Sequence, residues 1–208
     1  MTSVKQSIKL VLILSVVLSS ITFASENQKN WQQVTDDNGI QVYTLETTNS
    51  KIVKAKAVAI IKAPIKIIKT TLDDIDHRYE WIPFLISSKA LTQFKNNKRI
   101  EYSHFYAPWP ASDRDFVYEI KLVTKTPDKL VYKMQSVDSS LMPVNEDKIR
   151  ANLFETTYVL TVIDAQTTKV ELIYYADPKG WIPNWIINII QQILPYKIMH
   201  NLAERAVK

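Results

Sequence analysis

The segment from Pro108 to Val117, which reads Pro-Trp-Pro-Ala-Ser-Asp-Arg-Asp-Phe-Val, constrains the fold of this chain more than any other. The two prolines that flank Trp109 cannot donate hydrogen bonds to a strand ladder, so they predict an exposed turn. Strict alternation of side-chain types follows from Asp115 to Thr124 and indicates a strand. We therefore expect a sheet with a stiff loop beside it that displays an apolar ring, as in a gate or a membrane contact.

The N-terminus has the layout of a secretory signal peptide. Lys5 and Lys9 precede an uncharged run from Leu10 to Phe23, and Ala24 completes a small-x-small cleavage site. The run is shorter than the roughly 20 residues that a membrane-spanning helix prefers. We expect a leader that is removed, which makes the protein secreted or periplasmic. An uncleaved N-terminal anchor is the alternative.

The rest of the chain predicts a single domain, with 1–24 as signal peptide and 25–208 as the folded part. Removing the leader takes away two lysines and no acid, so the formal net charge falls from +5 to +3. A mildly basic surface suits anionic lipid, where each nearby Lys or Arg is worth about 1 kcal/mol. It lacks the concentrated positive charge of a nucleic-acid binder.

Several kinds of site are excluded by what the chain lacks. Cysteine is absent, which removes disulfides, thiolate metal sites and a cysteine nucleophile. Gly39 and Gly180 are the only glycines, too few for a phosphate-binding loop. His77, His104 and His200 are far apart and give no metal signature. We expect no metal and no cofactor.

The order of predicted elements is strands, two small helices, a long antiparallel meander and one long helix, which indicates an α+β fold. Alanines on the inner face of the third strand leave room for a packed helix or for a cavity. The predicted strands are Trp31–Val34, Ile40–Glu46, Ile52–Ile61, Lys89–Lys95, Arg99–Ala107, Asp115–Thr124, Lys129–Ser136, Ile149–Ile163 and Lys169–Ala176. The predicted helices are Pro64–Leu72, Arg78–Ile86 and Pro183–Ala206, the last bent or interrupted at Pro195.

Two motifs resemble those of a known family. The run Pro-Trp-Pro-x-Ser-x-Arg-Asp, with Pro108, Pro110, Arg114 and Asp115, resembles the signature loop of START domains, the steroidogenic acute regulatory-related lipid-transfer family. The run from Gly180 to Asn188 resembles the family's entry into its C-terminal lid helix. The resemblance implies a helix-grip fold, in which a curved antiparallel sheet surrounds a hydrophobic cavity closed by a long C-terminal helix. We interpret Arg114 and Asp115 as an ion pair that fixes the loop to the strand.

Strand alternation and this resemblance together predict which side chains line the cavity. Tyrosines inside a curved sheet need hydroxyl partners, whereas a solid core favours aliphatic residues. An ordinary core with tyrosine hydroxyls that reach solvent is the alternative, and so is a fully packed terminal helix. The predicted ligand-binding residues are Tyr102, His104, Tyr106, Tyr118, Ile120, Tyr132, Met134, Tyr158, Tyr174, Trp185 and Ile189.

The resemblance also bears on the ligand and on the entrance to the cavity. It makes His104 the candidate polar group of the pocket. Many START proteins carry an arginine where this chain has Ile120, and the departure argues for a neutral lipid or sterol-like molecule over a phosphate headgroup. Trp109 and Trp181, each close to a proline, are predicted to form a membrane-facing gate. The alternative is that both rings pack against the terminal helix.

These observations predict a non-catalytic carrier, with no catalytic residues, that binds and transfers a lipid or other hydrophobic molecule. It would contact a membrane surface transiently, act as a monomer and bind no nucleic acid. The alternative is an enzyme similar to polyketide cyclases and aromatases, with His104 and either Tyr118 or Tyr132 as acid and base. A third possibility is an assembly or envelope-stress protein with a filled core.

Overall fold

The computed structural model describes residues 31–47 and 52–207. In these residues one ten-stranded sheet is followed by a long C-terminal helix, so the predicted α+β helix-grip architecture is confirmed. The predicted leader, 1–24, lies outside the described residues. None of the helices in 31–47 and 52–207 combines the length and the apolar character needed to cross a membrane.

The sheet is antiparallel throughout its main path. Its spatial order is β1-β2-β3-β10-β9-β7-β6-β5-β4, and the short β8 pairs in parallel with β6. The strands are β1 (Gln32–Asp37), β2 (Ile40–Leu45), β3 (Lys54–Ile61), β4 (Leu85–Ala90), β5 (Lys98–Phe105), β6 (Arg114–Lys125), β7 (Lys129–Ser136), β8 (Ile149–Arg150), β9 (Asn152–Asp164) and β10 (Thr167–Asp177).

The helical segments are α1 (Ile65–Asp73), a 3₁₀ turn (Arg78–Glu80), α2 (Asn184–Asn188), a π-helical segment (Ile189–Ile193) and α3 (Leu194–Ala206). The last three form one continuous helix. The predicted interruption at Pro195 takes the form of the π-helical segment immediately before α3, because proline cannot donate the backbone bond that an α-helix requires there.

The predicted helix Arg78–Ile86 is wrong. Only one 3₁₀ turn forms, and β4 already begins at Leu85. Pro83 disfavours helical geometry in the residue before it, and Phe84 adopts a positive φ of 63°, so the chain leaves the helix there. The predicted strand Lys89–Lys95 consequently lies too late in the sequence.

The helices α1 and α3 pack on the sheet and form the main core. Ala57 and Ala59 of β3 belong to the same buried cluster as Ile198 and Leu202 of α3. Their small side chains let the helix approach the strand closely. Of the two interpretations of the alanine-rich face, the packed helix is therefore the correct one at these positions.

A buried ion network ties α1 and the 3₁₀ turn to the sheet. The Glu101 side chain is 0% exposed, and its two carboxylate oxygens accept hydrogen bonds of 2.6 Å from Arg78 Nη1 and Arg99 Nε. Arg78 Nη2 also donates to the Leu72 carbonyl at 2.8 Å, and Arg99 Nη2 donates to the Asp73 carbonyl at 3.0 Å. Both arginines therefore connect the end of α1 to β5.

The network sets the charge state of its carboxylate. Burial alone would raise the pKa of Glu101, but the adjacent guanidinium groups of Arg78 and Arg99 outweigh it and hold the pKa below its ordinary value. Because the folded pKa lies below the unfolded one, the carboxylate stabilises the fold above the unfolded pKa. That contribution is lost as the pH falls through the folded pKa.

We predict that Glu101→Gln lowers the free energy of unfolding by about 3 kcal/mol at neutral pH, because it leaves the buried Arg78 and the partly buried Arg99 without their counterion. The variant should also lose less stability than the wild type between neutral pH and about pH 3, a window that reaches below the unfolded pKa. Urea unfolding at both pH values measures this. Glu119→Gln is the matched control, because its partner Lys98 is half-exposed and such pairs contribute little. Equal pH dependence in Glu101→Gln and the wild type would contradict the prediction.

Candidate functional site

An apolar cavity lies between the sheet and the C-terminal helix. Its volume is about 160 Å³. Leu153 and Leu172 contribute from the sheet, and Ile186, Ile190 and Leu194 contribute from the terminal helix. The helix therefore forms one wall of the cavity, as a lid would.

The structure brings about half of the predicted ligand-binding residues to this cavity. Those that line it are Tyr106, Tyr118, Met134, Tyr158, Tyr174 and Ile189. Those that do not are Tyr102, His104, Ile120, Tyr132 and Trp185.

The predicted facing of β5 is wrong. The register pairs Ser103 with Phe116 and Glu101 with Tyr118, so odd-numbered residues of β5 share the face that lines the cavity. Tyr102 lies on the other face, where the Lys89 ammonium sits 5.7 Å from the centre of its ring. Alternation within a strand shows which residues share a face, but not which face points inward.

His104 also lies on that other face of β5. One of its ring nitrogens, Nε2, is 2.8 Å from Asp113 Oδ2. The second Asp113 oxygen accepts a hydrogen bond from the Ala107 backbone N–H at 3.0 Å. His104 therefore holds the loop that follows β5 and is not the polar group of the cavity.

Ile120 and Tyr132 point into the main core, deeper than the cavity. Both belong to the buried cluster around α1 and α3. The Tyr132 hydroxyl donates to Asp73 Oδ1 at 2.9 Å. Trp185 is half-exposed on the outer side of α2, while the next residue, Ile186, lines the cavity.

Three bonded polar groups form one end of the cavity wall. The Tyr118 hydroxyl is 2.9 Å from Ser103 Oγ and accepts a hydrogen bond of 3.1 Å from Arg78 Nη1. Burial raises the pKa of Tyr118, and the negative charge of Glu101 adds to the effect. The hydroxyl therefore stays protonated, and Arg78 is held between a carboxylate and a phenol.

A second group of hydroxyls lines the cavity without partners. Thr156, Tyr158 and Tyr174 make no side-chain hydrogen bond to any other residue of 31–47 and 52–207. Burial raises the pKa of Tyr158 to about 12 and also raises the pKa of Tyr174. Trp81 lines the cavity too, and within the same residues its buried indole N–H has no hydrogen-bond partner.

Arg114 joins the two loops at the mouth of the cavity. Its guanidinium donates to the carbonyls of Pro178 at 3.1 Å, Lys179 at 3.0 Å and Trp181 at 3.2 Å, and also to that of Ser112. Gly180, at φ 64°, lets this loop pass close to Ile149, because a Cβ there would lie 2.7 Å from Ile149 Cδ1.

The predicted ion pair between Arg114 and Asp115 is wrong. Neighbours on a strand point to opposite faces, and Asp115 instead accepts hydrogen bonds of 2.8 and 3.1 Å from Arg150. Pro108 lines the cavity, and Pro110 follows Trp109 in the same loop. The rings of Trp109 and Trp181 are 87% and 66% exposed, so neither packs into the core.

Sequence reasoning missed Arg78, Ser103, Phe105 and Thr156 as lining residues. Ser103 and Phe105 follow directly from the corrected facing of β5. Arg78 stands between Asp76, His77 and Glu80, so its neighbours in the sequence give no signal that it is buried. In the described part of the chain, no three His, Cys, Asp or Glu side chains are placed to hold a metal ion.

Similar proteins agree with this geometry. The family model described as START domain matches residues 14–199. An uncharacterized protein of Pseudomonas aeruginosa is 26% identical over 86% of this chain and 88% of its own length. The phosphatidylcholine transfer protein of Mus musculus is 24% identical over 76% of this chain and 75% of its own length.

Solved structures have the same architecture. Human STARD10 superposes with a TM-score of 0.79 at 21% identity, over 88% of this chain and 75% of that one. A STAR-related lipid transfer protein of Xanthomonas axonopodis gives 0.74 at 25% identity, over 86% and 99%. The Zhui aromatase/cyclase of Streptomyces gives 0.52 at 13% identity, over 74% and 95%. Because the family model spans most of the sequence and the fold agrees with it, this chain belongs to the START domain family.

Proposed function

We propose that this protein binds one lipid or other hydrophobic molecule in the cavity and carries it between membranes without changing it chemically. The observation that carries the proposal is an apolar cavity closed by the terminal helix. Burial supplies the affinity, at about 0.8 kcal/mol for each CH₂ removed from water. The names of the relatives, which include a phosphatidylcholine transfer protein, support the same class of ligand.

The cavity is small, so the lid has to move when a long-chain lipid enters. Its volume of about 160 Å³ is close to the roughly 150 Å³ of an engineered cavity that holds benzene. The π-helical segment supports a hinge in this wall, because its backbone bonding is less regular than that of the flanking α-helices. Outward movement of α2 and this segment would enlarge the cavity.

The two exposed tryptophans support transient membrane contact at the mouth of the cavity. Trp109 and Trp181 lie on loops that Arg114 holds together. Tryptophan prefers the bilayer interface, where the ring is buried and its N–H stays hydrated. A mouth that docks there lets a lipid pass without crossing water. The carrier acts as a monomer and needs no nucleic acid in this proposal.

The enzymatic alternative keeps only one of its candidate residues in the cavity. Tyr118 lines it and is bonded to Arg78 and Ser103, whereas His104 and Tyr132 lie outside it. The likeness to the aromatase/cyclase concerns the fold alone, at 13% identity. The cavity itself argues against an assembly protein with a filled core. A non-catalytic carrier is therefore the better proposal.

Replacing Trp109 and Trp181 together by alanine should slow lipid transfer between vesicles at least severalfold. Rings that are largely exposed contribute little to the core, so the melting temperature should change little. Fluorescent-lipid transfer between donor and acceptor vesicles, together with thermal unfolding, measures both effects.

Phe94→Ala is the matched control for the tryptophan pair. Phe94 is 47% exposed, and it lies at the opposite end of the β4–β5 hairpin from the cavity mouth. Transfer by this variant should equal that of the wild type. Normal transfer by the double tryptophan variant would end the gate proposal, and so would a large loss of its stability.

We also propose that the leader is removed after Ala24 and that the protein works in the periplasm. The charged, apolar and small-residue segments described above support this. N-terminal sequencing of the exported protein should begin at or near Ser25. Recovery of intact Met1 in the membrane fraction would instead identify an anchor.

A further inference from the structure

The two cationic side chains among the described residues that line the cavity are already committed to protein partners. Arg78 is bound to Glu101 at 2.6 Å and to Tyr118 at 3.1 Å. Arg114 donates to backbone carbonyls of both mouth loops. A phosphate that entered the cavity would have to displace one of these partners, or else stay buried without a counter-charge.

In contrast, the cavity offers several uncharged polar groups that have no partner within the described residues. Thr156 of β9 stands directly opposite Tyr174 of β10 in the antiparallel register. Tyr158 lies two residues further along β9, on the same face. Paired residues on adjacent strands have Cβ atoms about 5 Å apart, so the three hydroxyls form one patch.

The indole N–H of Trp81 is a further donor without a partner in the described part of the chain. Trp81 is 3% exposed, and its ring nitrogen is buried. A buried donor that lacks an acceptor costs about 1–3 kcal/mol, but this nitrogen has no accessible surface toward the cavity, so it does not contact a ligand there. Hydroxyls can both donate and accept, but an indole N–H can only donate.

We propose that the cavity selects an uncharged lipid with hydroxyl or ester oxygens, such as an acylglycerol, whose oxygens bond to Thr156, Tyr158 and Tyr174. This rests on the proposed carrier function and narrows its ligand class. The cavity disfavours the phosphate headgroup of a phospholipid, because neither arginine is free to neutralise it and a zwitterionic headgroup such as phosphocholine would bury two charges.

Vesicle extraction tests the proposal directly. The full-length mature protein is incubated with dioleoylphosphatidylcholine vesicles that contain minor amounts of dioleoylglycerol and 1-oleoylglycerol. The protein is then re-isolated, and its bound lipids are quantified by mass spectrometry. We expect the two glycerides to be enriched over their share in the vesicle and phosphatidylcholine to be depleted.

Hydroxyl deletion identifies the recognising groups. The double variant Tyr158→Phe with Tyr174→Phe keeps the rings and removes two hydroxyls, so glyceride enrichment should fall about tenfold. Tyr175→Phe removes the same atom from the other face of β10, outside the cavity, and is the matched control, with unchanged enrichment expected. Circular dichroism of each variant verifies that the fold is retained.

The outcomes separate this inference from the carrier function. Phosphatidylcholine as the main bound lipid would overturn the inference and leave a lipid carrier. Unchanged glyceride enrichment in the double variant would also overturn the inference, since other groups would then provide the selectivity. Recovery of wild-type protein with no lipid at all would overturn the carrier function itself.

Discussion

The carboxylate of Glu101 is the interaction on which the rest of the cavity depends. It has no exposed surface, and it bonds Arg78 and Arg99 at the same time. Without it, the buried Arg78 and the partly buried Arg99 would lack a counterion, which would strongly destabilise the fold. With it, the arginines reach the last carbonyls of α1 and hold that helix end against β5. The polar end of the cavity is therefore rigid before any ligand arrives.

Arg114 holds the two loops at the mouth of the cavity together, as Arg78 and Arg99 hold α1 against β5. It is buried but bonds backbone carbonyls in place of a carboxylate, and burial lowers its pKa from the ordinary value. Carbonyl dipoles solvate the cation, and the nearby Asp113 carboxylate partly offsets the effect of burial on its pKa. Since these carbonyls belong to both mouth loops, Trp109 and Trp181 are positioned by a single side chain.

Much of the fold was predictable because strand alternation and the two motifs are local signals. The strand Lys129–Ser136 was predicted with its exact bounds, and the exposed Trp109 loop followed from its prolines. The facing of β5 was not predictable, because the loop before β6 permits either register and a shift of one residue exchanges the two faces. Tyr102 and His104 were assigned to the cavity for this reason.

The side chains that sequence reasoning missed depend on distant partners. Arg78 lines the cavity because Glu101, in another element, holds its charge there. Ile120 stands where many START proteins carry an arginine, and it was predicted to line the cavity. In the structure it lies in the main core. The departure from the family therefore does not leave the cavity without a cation. Arg78 lines the cavity, and the Glu101 carboxylate already neutralises it.

A carrier has to hold its ligand and also release it, and this requirement fits a patch of neutral hydroxyls better than a free cation. A buried ion pair between protein and ligand would cost several kcal/mol to separate, which would slow release. Neutral hydrogen bonds contribute about 1 kcal/mol each, because water or headgroups at the membrane surface can replace them. With Arg78 and Arg114 both committed to protein partners, apolar burial provides most of the affinity. The unpaired hydroxyls then select among ligands without making them hard to release.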